Sequence, residues 1–259
     1  MATLLLCSAS GAPGVTLTAL GLALTWPRDV LLVDADRTPS QAVLAGYLRG
    51  VSARDRGLPG VLQAHRERRP LSEALVDQAV DLPEPIASGS SVSRRFLPGF
   101  VHLGSVDLFG GVWRELGLAL QAAPFDAVVD AGRIGHRGLP GDLVEASDKV
   151  WLVCRSSLVS LAAVRLYLSA LVEQAGEGKV GLVLVGPGRP YGAKEVSEQF
   201  GVGVQATIAW DAPGAADLHE GQPLSKRWGR QALAASYGRT AAEFVAQDVT
   251  ERARIGAPA

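Results

Sequence analysis

The sequence predicts an α/β fold, a doubly wound, mostly parallel sheet of about seven or eight strands with helices on both faces. Short apolar runs alternate with longer segments of helical period, which is the pattern of βαβ units. The short runs are apolar at nearly every position, as expected of parallel strands buried on both faces. With 259 residues, 47% of them hydrophobic, the chain can bury a large core. We therefore expect one domain over residues 1–254 and a frayed tail over 255–259.

Each predicted strand is a short apolar run bounded by residues that favour turns. In chain order the predicted strands are Thr3–Ser8, Asp29–Asp34, Phe100–Leu103, Ala127–Asp130, Val150–Cys154, Val180–Val185 and Val204–Ile208.

Each predicted helix repeats its apolar residues with a helical period. In chain order the predicted helices are Thr16–Leu24, Ser40–Tyr47, Val61–Arg66, Leu71–Gln78, Val112–Ala122, Ser160–Gln174, Ala193–Phe200 and Gly229–Ala246. The stretch Asp81–Ser93 is rich in Pro, Ser, Asp and Glu and is predicted to be a surface loop.

The charge and the cysteines limit the partners and the compartment. A formal net charge of −1 gives no global field that would draw the protein to DNA or to an acidic membrane. The arginine-rich spots are candidate contacts for DNA or acidic partners, but we expect solvated surface charge there; they are Arg66, Arg68–Arg69, Arg94–Arg95 and Arg252–Arg254. Cys7 and Cys154 fall in different predicted strands, which favours reduced core thiols and a cytoplasmic location.

No part of the sequence favours direct insertion into a membrane. No run of 18 or more uninterrupted apolar residues occurs, so a spanning helix is not expected. The last predicted helix has few large apolar residues on one face, which disfavours a membrane-targeting tail.

A glycine-bearing loop follows the first predicted strand. Residues 7–20 read Cys-Ser-Ala-Ser-Gly-Ala-Pro-Gly-Val-Thr-Leu-Thr-Ala-Leu and lead from that strand into a helix. Such a junction aims backbone N–H groups and the positive end of the helix at one point, so it can hold a phosphate. Glycine in a loop of this kind also serves geometry alone, so the loop by itself predicts only a candidate anion site.

The loop resembles the deviant phosphate-binding loop of the MinD/ParA-type P-loop ATPases of the SIMIBI class, Lys-Gly-Gly-x-Gly-Lys-Thr-Thr, without a gap. Gly11 and Gly14 fall on the first and last glycines, and Thr16 falls on the magnesium-binding hydroxyl. Ser10 and Val15 stand where the family has its two lysines. The nucleotide-binding residues that the resemblance implies in this loop are Gly11, Ala12, Pro13, Gly14, Val15, Thr16 and Leu17.

The resemblance continues in order along nearly the whole chain. The second predicted strand leads to Asp34 and Asp36, like the family's Asp-x-Asp, and the fourth ends in Asp130, like its Walker B aspartate. This implies a catalytic role for Asp36 in placing the attacking water, and an Mg²⁺ site at Thr16, Asp34 and Asp130. Residues 201–224 resemble the family's Ile-Pro-x-Asp and Gly-x-Pro-Leu segment near the base. The further nucleotide contacts that this implies are Arg189, Asp211 and Pro213.

The departures from the family pattern change the chemistry. Val15 removes the cation beside the phosphates, and a unit charge pair at contact is worth about 4 kcal/mol at an effective dielectric constant of about 20. Carboxylates and a triphosphate then repel, so either Mg²⁺ still binds through Thr16 and Asp34 or the pocket is not used for triphosphate. Arg37 and Arg133 either supply substitute charge or pair with the aspartates, and we expect the pairing.

The resemblance implies a homodimer or higher homo-oligomer that recruits protein partners in positioning or assembly. By analogy the process is pilus or secretion assembly, as in TadZ/CpaE-like members, chromosome or plasmid segregation, or division placement. ATP or ADP with Mg²⁺ is the implied cofactor, and there is none if the site is vestigial. We expect no efficient ATPase, because Ser10 and Val15 replace the lysines. Two alternatives stay open, an active ParA-type ATPase switch and a nucleotide-free scaffold or filament-forming subunit. A third is a small-molecule enzyme on a related fold, such as a synthetase of the dethiobiotin or cobyrinate type, whose chemistry is hard to sustain without the two lysines.

Overall fold

The computed structural model of the chain describes residues 1–51, 53, 56–83, 91–225 and 227–256. For residues 255 and 256 it describes the backbone alone. Its eight strands form one sheet in the order β3-β4-β2-β5-β1-β6-β7-β8, and all neighbours are parallel except β3 and β4. The predicted fold class is thereby confirmed. The strands are β1 Thr3–Ser8, β2 Val30–Asp34, β3 Val80–Asp81, β4 Arg94–Leu97, β5 Asp126–Arg133, β6 Lys149–Arg155, β7 Val180–Val185 and β8 Val204–Ile208.

Helices cover both faces of the sheet, and each face has its own apolar core. The described helices are α1 Val15–Thr25, α2 Leu58–Arg66, α3 Leu71–Gln78, α4 Leu103–Leu108, α5 Trp113–Ala122, α6 Gly141–Ala146, α7 Leu158–Ala175, α8 Ala193–Phe200, α9 Ala212–His219 and α10 Ala232–Gly256. One core lies beneath α2, α3 and α5 to α8, with Leu75, Leu116 and Val164 at its centre. The other lies beneath α1, α9 and α10 and contains Leu20 and Phe244.

One predicted strand, Phe100–Leu103, is wrong. The strand that pairs with β2 is β4, and it ends at Leu97 because Pro98 has no N–H to continue the ladder. Phe100 is apolar for another reason, since its ring packs edge-on against Phe109 and Trp113 at centroid distances of 5.3 and 6.0 Å. The predicted surface loop Asp81–Ser93 begins inside β3, and residues 84–90 of it lie outside the described residues.

Two predicted helices differ in form. The segment Ser40–Tyr47 holds only a π-helical turn at Val43–Tyr47, because Gln41 has a φ of 51°, which a right-handed helix does not contain. The segment Gly229–Ala246 is a 3₁₀ turn at Trp228–Arg230 followed by α10, since Gln231 is extended between them. Helix α10 continues to Gly256, so residues 255 and 256 of the predicted tail are helical, and residues 257–259 lie outside the described residues.

Helices α4, α6 and α9 were not predicted, because they have only six to eight residues and contain or begin with glycine or proline. The two cysteines are buried and free, as predicted, and burial raises the pKa of the Cys154 thiol to about 12.

One described helix, α7, is long and apolar enough to cross a membrane by length and composition alone. One third of that stretch is buried inside the protein, where it covers one face of the sheet. A helix that covers a sheet passes the same test, so the prediction of no direct membrane insertion stays a prediction.

The strand order places the acidic residues and the glycine-bearing loop at one edge. Because neighbouring strands are parallel, the carboxyl ends of β1, β2 and β5 meet there, with Asp34 opposite Asp130 in register. Strand β1 lies between β5 and β6. The loop that follows β1 therefore emerges between the ends of those two strands.

Candidate functional site

The loop between β1 and α1 keeps a tight, glycine-like turn. Gly14 has a φ of 97°, and Ala12, a non-glycine residue, has a φ of 54°. Gly14 is the residue before α1, its carbonyl accepts from the Thr18 N–H at 2.8 Å, and no side chain caps this helix end. The first N–H groups of α1 thus keep the arrangement that binds an anion in other strand–loop–helix junctions.

Val15 occupies the position of a family lysine and belongs to the core. Its side chain is only 9% exposed and packs in the apolar cluster beneath α1. A lysine there would have to leave that cluster to reach a ligand. Valine in place of lysine therefore adds an apolar side chain to the core and also removes a positive charge from the loop.

Asp34 and Asp130 form a buried pair of carboxylates. Asp130 accepts from the Gly132 N–H at 2.9 Å, and burial raises its pKa to about 6 against the lowering effect of the nearby Thr16 hydroxyl. Asp34 accepts from the Asp36 N–H at 3.2 Å, and burial together with the charge of Asp130 raises its pKa to about 8. The two groups are costly to charge together unless a cation joins them.

Two glycines let the backbone approach these carboxylates. A Cβ on Gly99 would stand 2.6 Å from Cγ of Asp34. A Cβ on Gly132, whose φ is 63°, would stand 2.1 Å from Cγ of Asp36. Asp36 itself accepts from the Thr38 N–H at 2.7 Å, and burial raises its pKa. The acidic side chains are therefore held in place by backbone.

The predicted pairing of Arg37 and Arg133 with the aspartates does not occur as a direct ion pair in the described part of the chain. Arg37 donates to the carbonyl of Gly138 instead. Arg133 lies against the loop, with Nη2 only 2.8 Å from the place where a Gly11 Cβ would stand. Both arginines act on Asp36 at longer range, where their charges lower its pKa against the effect of burial.

A cavity of about 680 Å³ opens beside the loop. This volume falls in the range of small-molecule sites. Of the predicted site residues, Ala12 to Leu17, Asp36 and Asp211 line it. Asp34, Asp130 and Gly11 are not among its lining residues. Gly11 is exposed and lies against Arg133.

At the far end of the cavity the predicted base contacts have structural roles. Asp211 accepts from the Gly214 N–H at 3.0 Å and so caps α9. Pro213 lies in the first turn of α9 and does not line the cavity. Arg189 also stands off the lining, with its guanidinium carbon 5.0 Å from the centroid of the Trp210 ring.

Among the cavity-lining residues that sequence reasoning missed are Arg155, Trp210 and Tyr237. Arg155 donates from Nη2 to the carbonyl of Ala12 at 2.7 Å, and its guanidinium carbon lies 5.2 Å from the Trp210 ring centroid. Its place at the carboxyl end of β6 was a usable signal, since ligands bind at that edge of such sheets. Tyr237, on α10, lies against Gly21 of α1, where a Cβ would stand 2.3 Å from its ring.

The acidic residues supply oxygen ligands of the kind that Mg²⁺ prefers. Thr16 offers a hydroxyl, and Asp34 and Asp130 offer carboxylates. Among the described ranges, no cluster of three or more His, Cys, Asp and Glu side chains is suited to hold a metal. A magnesium ion here would therefore take its other ligands from water and from a substrate phosphate.

Comparison with solved structures identifies relatives by fold. A ParA family ATPase from Chlorobium tepidum TLS superposes with a TM-score of 0.71 at 18% identity, over 93% of this chain and 98% of that one. MinD from Pyrococcus horikoshii OT3, complexed with Mg-ADP, gives 0.69 at 21%, over 94% and 95%. The MinC–MinD cell division complex of Aquifex aeolicus gives 0.67 at 16%, over 95% and 96%. No family model and no curated protein sequence matches the chain. The chain thus has the fold of the MinD and ParA P-loop ATPases.

Proposed function

We propose that this chain is a MinD/ParA-like positioning or assembly protein that acts in the cytoplasm as a dimeric scaffold for protein partners. Its nucleotide site binds ATP or ADP weakly and does not hydrolyse ATP efficiently. The observation that carries the proposal is the packing of Val15 in the apolar core. The MinD/ParA-type ATPases that this loop resembles have a phosphate-clamping lysine at that position. The processes that fit are pilus or secretion assembly, segregation and division placement.

The absence of efficient hydrolysis follows from where charge develops in phosphoryl transfer. Catalysis in this class of reaction is positioning plus electrostatic stabilisation of the transferred group. Ser10 and Val15 place no positive charge inside the loop, and Pro13 offers no N–H. Asp36 is the residue proposed to orient the attacking water. Burial raises its pKa, which disfavours the charged carboxylate.

Weak nucleotide binding is supported by the parts of the site that survive. The turn at Ala12 and Gly14 keeps left-handed backbone, and the cavity beside it has a nucleotide-sized volume. If Mg²⁺ binds, Thr16, Asp34 and Asp130 are the residues that would hold it, and it would neutralise phosphate charge. One matched structure, MinD, is a complex with Mg-ADP.

A scaffold role is supported by apolar surface outside the cavity. Leu158, Val159 and Leu166 on α7 are large apolar side chains that the monomer leaves exposed. Apolar surface of this kind favours protein contact. One matched structure is a complex of MinD with a second protein, MinC.

The test is phosphate release from ATP with Mg²⁺ by the full chain, measured beside an Asp36→Ala variant, together with the mass of the particle in solution. We expect a dimer whose phosphate release equals that of the variant. Release that falls in Asp36→Ala would establish the active ParA-type switch instead. A monomer at micromolar concentration would contradict the scaffold.

A nucleotide-free scaffold is the second candidate, and one observation favours it. With its pKa raised to about 8, Asp34 is largely protonated near pH 7, whereas Asp130, with a pKa of about 6, stays largely charged. The pair therefore carries about one negative charge rather than two without any metal, which lowers the cost of an empty site. An unfolding temperature that ATP with Mg²⁺ leaves unchanged would select this candidate, whereas a rise would select the nucleotide-binding form.

A further inference from the structure

We infer that Arg155 and Arg133 supply, from outside the loop, the positive charge for the phosphates of a nucleoside di- or triphosphate bound in the cavity. Nothing in the loop itself supplies that charge, because Ser10 and Val15 are neutral. The inference rests on the proposed function, since it assigns residues to the same nucleotide site.

The topology places one arginine on each side of the loop. Strand β1, which leads into the loop, is flanked by β5 and β6, and these strands end in Arg133 and Arg155. Arg133 is in register with Ser8, the last residue of β1, and Arg155 lies two residues beyond the partner of Ser8 on the other side. The same strand order that exposes the loop therefore brings two guanidinium groups to it.

Contacts hold both guanidinium groups against the loop backbone. Arg155 Nη2 donates to the carbonyl of Ala12 at 2.7 Å. Arg133 Nη2 stands 2.8 Å from the position of a Cβ on Gly11, a space that any larger residue would close. Both arginines line the cavity of about 680 Å³. Both therefore reach the atoms that surround a phosphate in such a loop.

The charges of these two arginines are available to a ligand. Within the described ranges neither one forms an ion pair with a carboxylate, whereas Arg28, Arg69, Arg137 and Arg252 do. Arg155 has a neutral carbonyl and an aromatic face as neighbours. A phosphate oxygen is a stronger acceptor than either, because a guanidinium–phosphate hydrogen bond is charge-assisted and can be bidentate.

Arg37 is not part of this pair. It donates to the carbonyl of Gly138 and lines a neighbouring cleft with Arg137 and His136 rather than the cavity beside the loop. Its charge acts on Asp36, as the charge of Arg133 does. Arg133 lines that cleft too but, unlike Arg37, it also lines the cavity beside the loop. The two strand-end arginines therefore match the two missing lysines in number, and both face the cavity that the loop lines.

Trp210 provides a readout inside the cavity. Its side chain is 42% exposed, and it lies within 5.2 Å of Arg155 as measured from guanidinium carbon to ring centroid. The other four tryptophans, Trp26, Trp113, Trp151 and Trp228, are buried. A ligand that engages Arg155 is expected to change the emission of Trp210 and to leave the other four unchanged.

The experiment titrates ATP, with and without Mg²⁺, into the full chain and follows calorimetry and tryptophan emission. We expect Arg155→Ala and Arg133→Ala each to weaken binding by about tenfold, the loss typical of a charge-assisted hydrogen bond. Arg155→Lys, which keeps the charge, should lose less. Arg165→Ala, an exposed arginine on α7 away from the cavity, is the matched control and should bind like the parent. Inorganic tripolyphosphate should compete with ATP in the parent and not in the double variant.

Two results would overturn the assignment, an ATP affinity unchanged in both alanine variants and an absence of ATP binding by the parent at millimolar concentration. Unfolding curves of each variant establish that a weaker affinity is not a folding defect. Phosphate release and particle mass, measured on the same samples, separate this inference from the proposed function. A dimer without phosphate release that also fails to bind ATP contradicts the arginine assignment and leaves the nucleotide-free scaffold as the function. Hydrolysis that depends on Asp36 sinks the proposed function while the arginine assignment can hold.

Discussion

Strand β5 carries a buried aspartate at each end of the sheet, and the two have opposite surroundings. Asp126, at the amino edge, accepts from the Ala2 N–H and the Trp26 indole at 2.7 Å each and from Arg28 Nη2 at 2.9 Å. Asp130, near the carboxyl edge, accepts from the Gly132 N–H at 2.9 Å, and burial raises its pKa to about 6. Among the residues that the structure describes, Asp126 has a cationic partner and Asp130 has none.

The contrast extends to the neighbours of each aspartate. At the amino edge Arg28 also contacts Asp248 at 2.9 Å, and Asp248 in turn contacts Arg252 at 2.7 Å. Burial raises the pKa of Asp248, but the hydrogen bonds from the two arginines outweigh it and hold that pKa below its ordinary value. At the carboxyl edge the charged neighbours that act on Asp34, within the described part of the chain, are Asp130 and Asp36, and burial together with their charges raises its pKa to about 8. The amino edge is arranged for stability, and the carboxyl edge keeps an acidic site at a cost in stability.

The largest expected change in stability comes from removing the shared acceptor at the amino edge. Asp126→Ala should lower the free energy of unfolding by about 3–5 kcal/mol, because it leaves Arg28, the Trp26 indole and the Ala2 N–H without their acceptor. Urea denaturation measures the loss. Glu177→Ala, an exposed residue after α7, is the control and should change little. A loss below about 1 kcal/mol for Asp126→Ala would mean that water replaces the network easily.

The second prediction concerns the pH dependence of stability that Asp34 causes at the carboxyl edge. The folded protein holds the Asp34 proton up to about pH 8, whereas the unfolded chain, with its ordinary pKa of 3.8, releases it near pH 4. The folded state binds more protons in that window, so stability falls as the pH rises from about 4 to about 8. Asp34→Asn does not titrate and should be more stable than the parent by about 1–3 kcal/mol at pH 8, with no gain near pH 4.

Urea denaturation with a metal chelator, repeated across that pH window, checks this prediction. Asp142→Asn removes an exposed carboxylate and is the matched control. A gain of equal size at pH 4 and pH 8 would show that the aspartate charge is not its cause.

The smallest effect concerns the loop between β1 and α1. Ala12 has a φ of 54°, which costs a non-glycine residue about 1–2 kcal/mol, while glycine adds about 0.5–1 kcal/mol of unfolded-chain entropy. Ala12→Gly should therefore raise stability by about 0.5 kcal/mol. Ala162→Gly, in the middle of α7, should have the opposite sign with a loss of about 1 kcal/mol. Equal losses in thermal unfolding would indicate that the loop imposes no strain on Ala12.

The sequence predicted the fold wherever burial leaves a local trace. Strands such as Val180–Val185 are apolar because both sheet faces are covered, so a continuous run was enough to find them. Phe100 misled for the same reason, because an aromatic cluster and a strand look alike in one dimension. The predicted acidic residues Asp34, Asp36 and Asp130 do come together at one edge of the sheet, because they end or follow neighbouring strands, while their role stays a prediction.

Arg155 and Trp210 were not found, since their nearness to Ala12 depends on the spatial order β5-β1-β6 and on the return of the chain after β8. No local pattern carries that order. Arg133 was noticed, but its contact with the loop instead of the aspartates could not be seen without the Gly11 backbone beside it.

Helix α10 touches both edges of the sheet. Near its start Tyr237 lines the cavity, and the Ser236 hydroxyl accepts from the Ala209 N–H at 3.2 Å, next to Trp210. Farther along, Asp248 and Arg252 join the ion pairs of the amino edge. At about 1.5 Å per residue, the 25 residues of this helix span on the order of 37 Å. A ligand in the cavity would therefore lie beside the start of the same helix whose later residues hold the ion pairs at the amino edge.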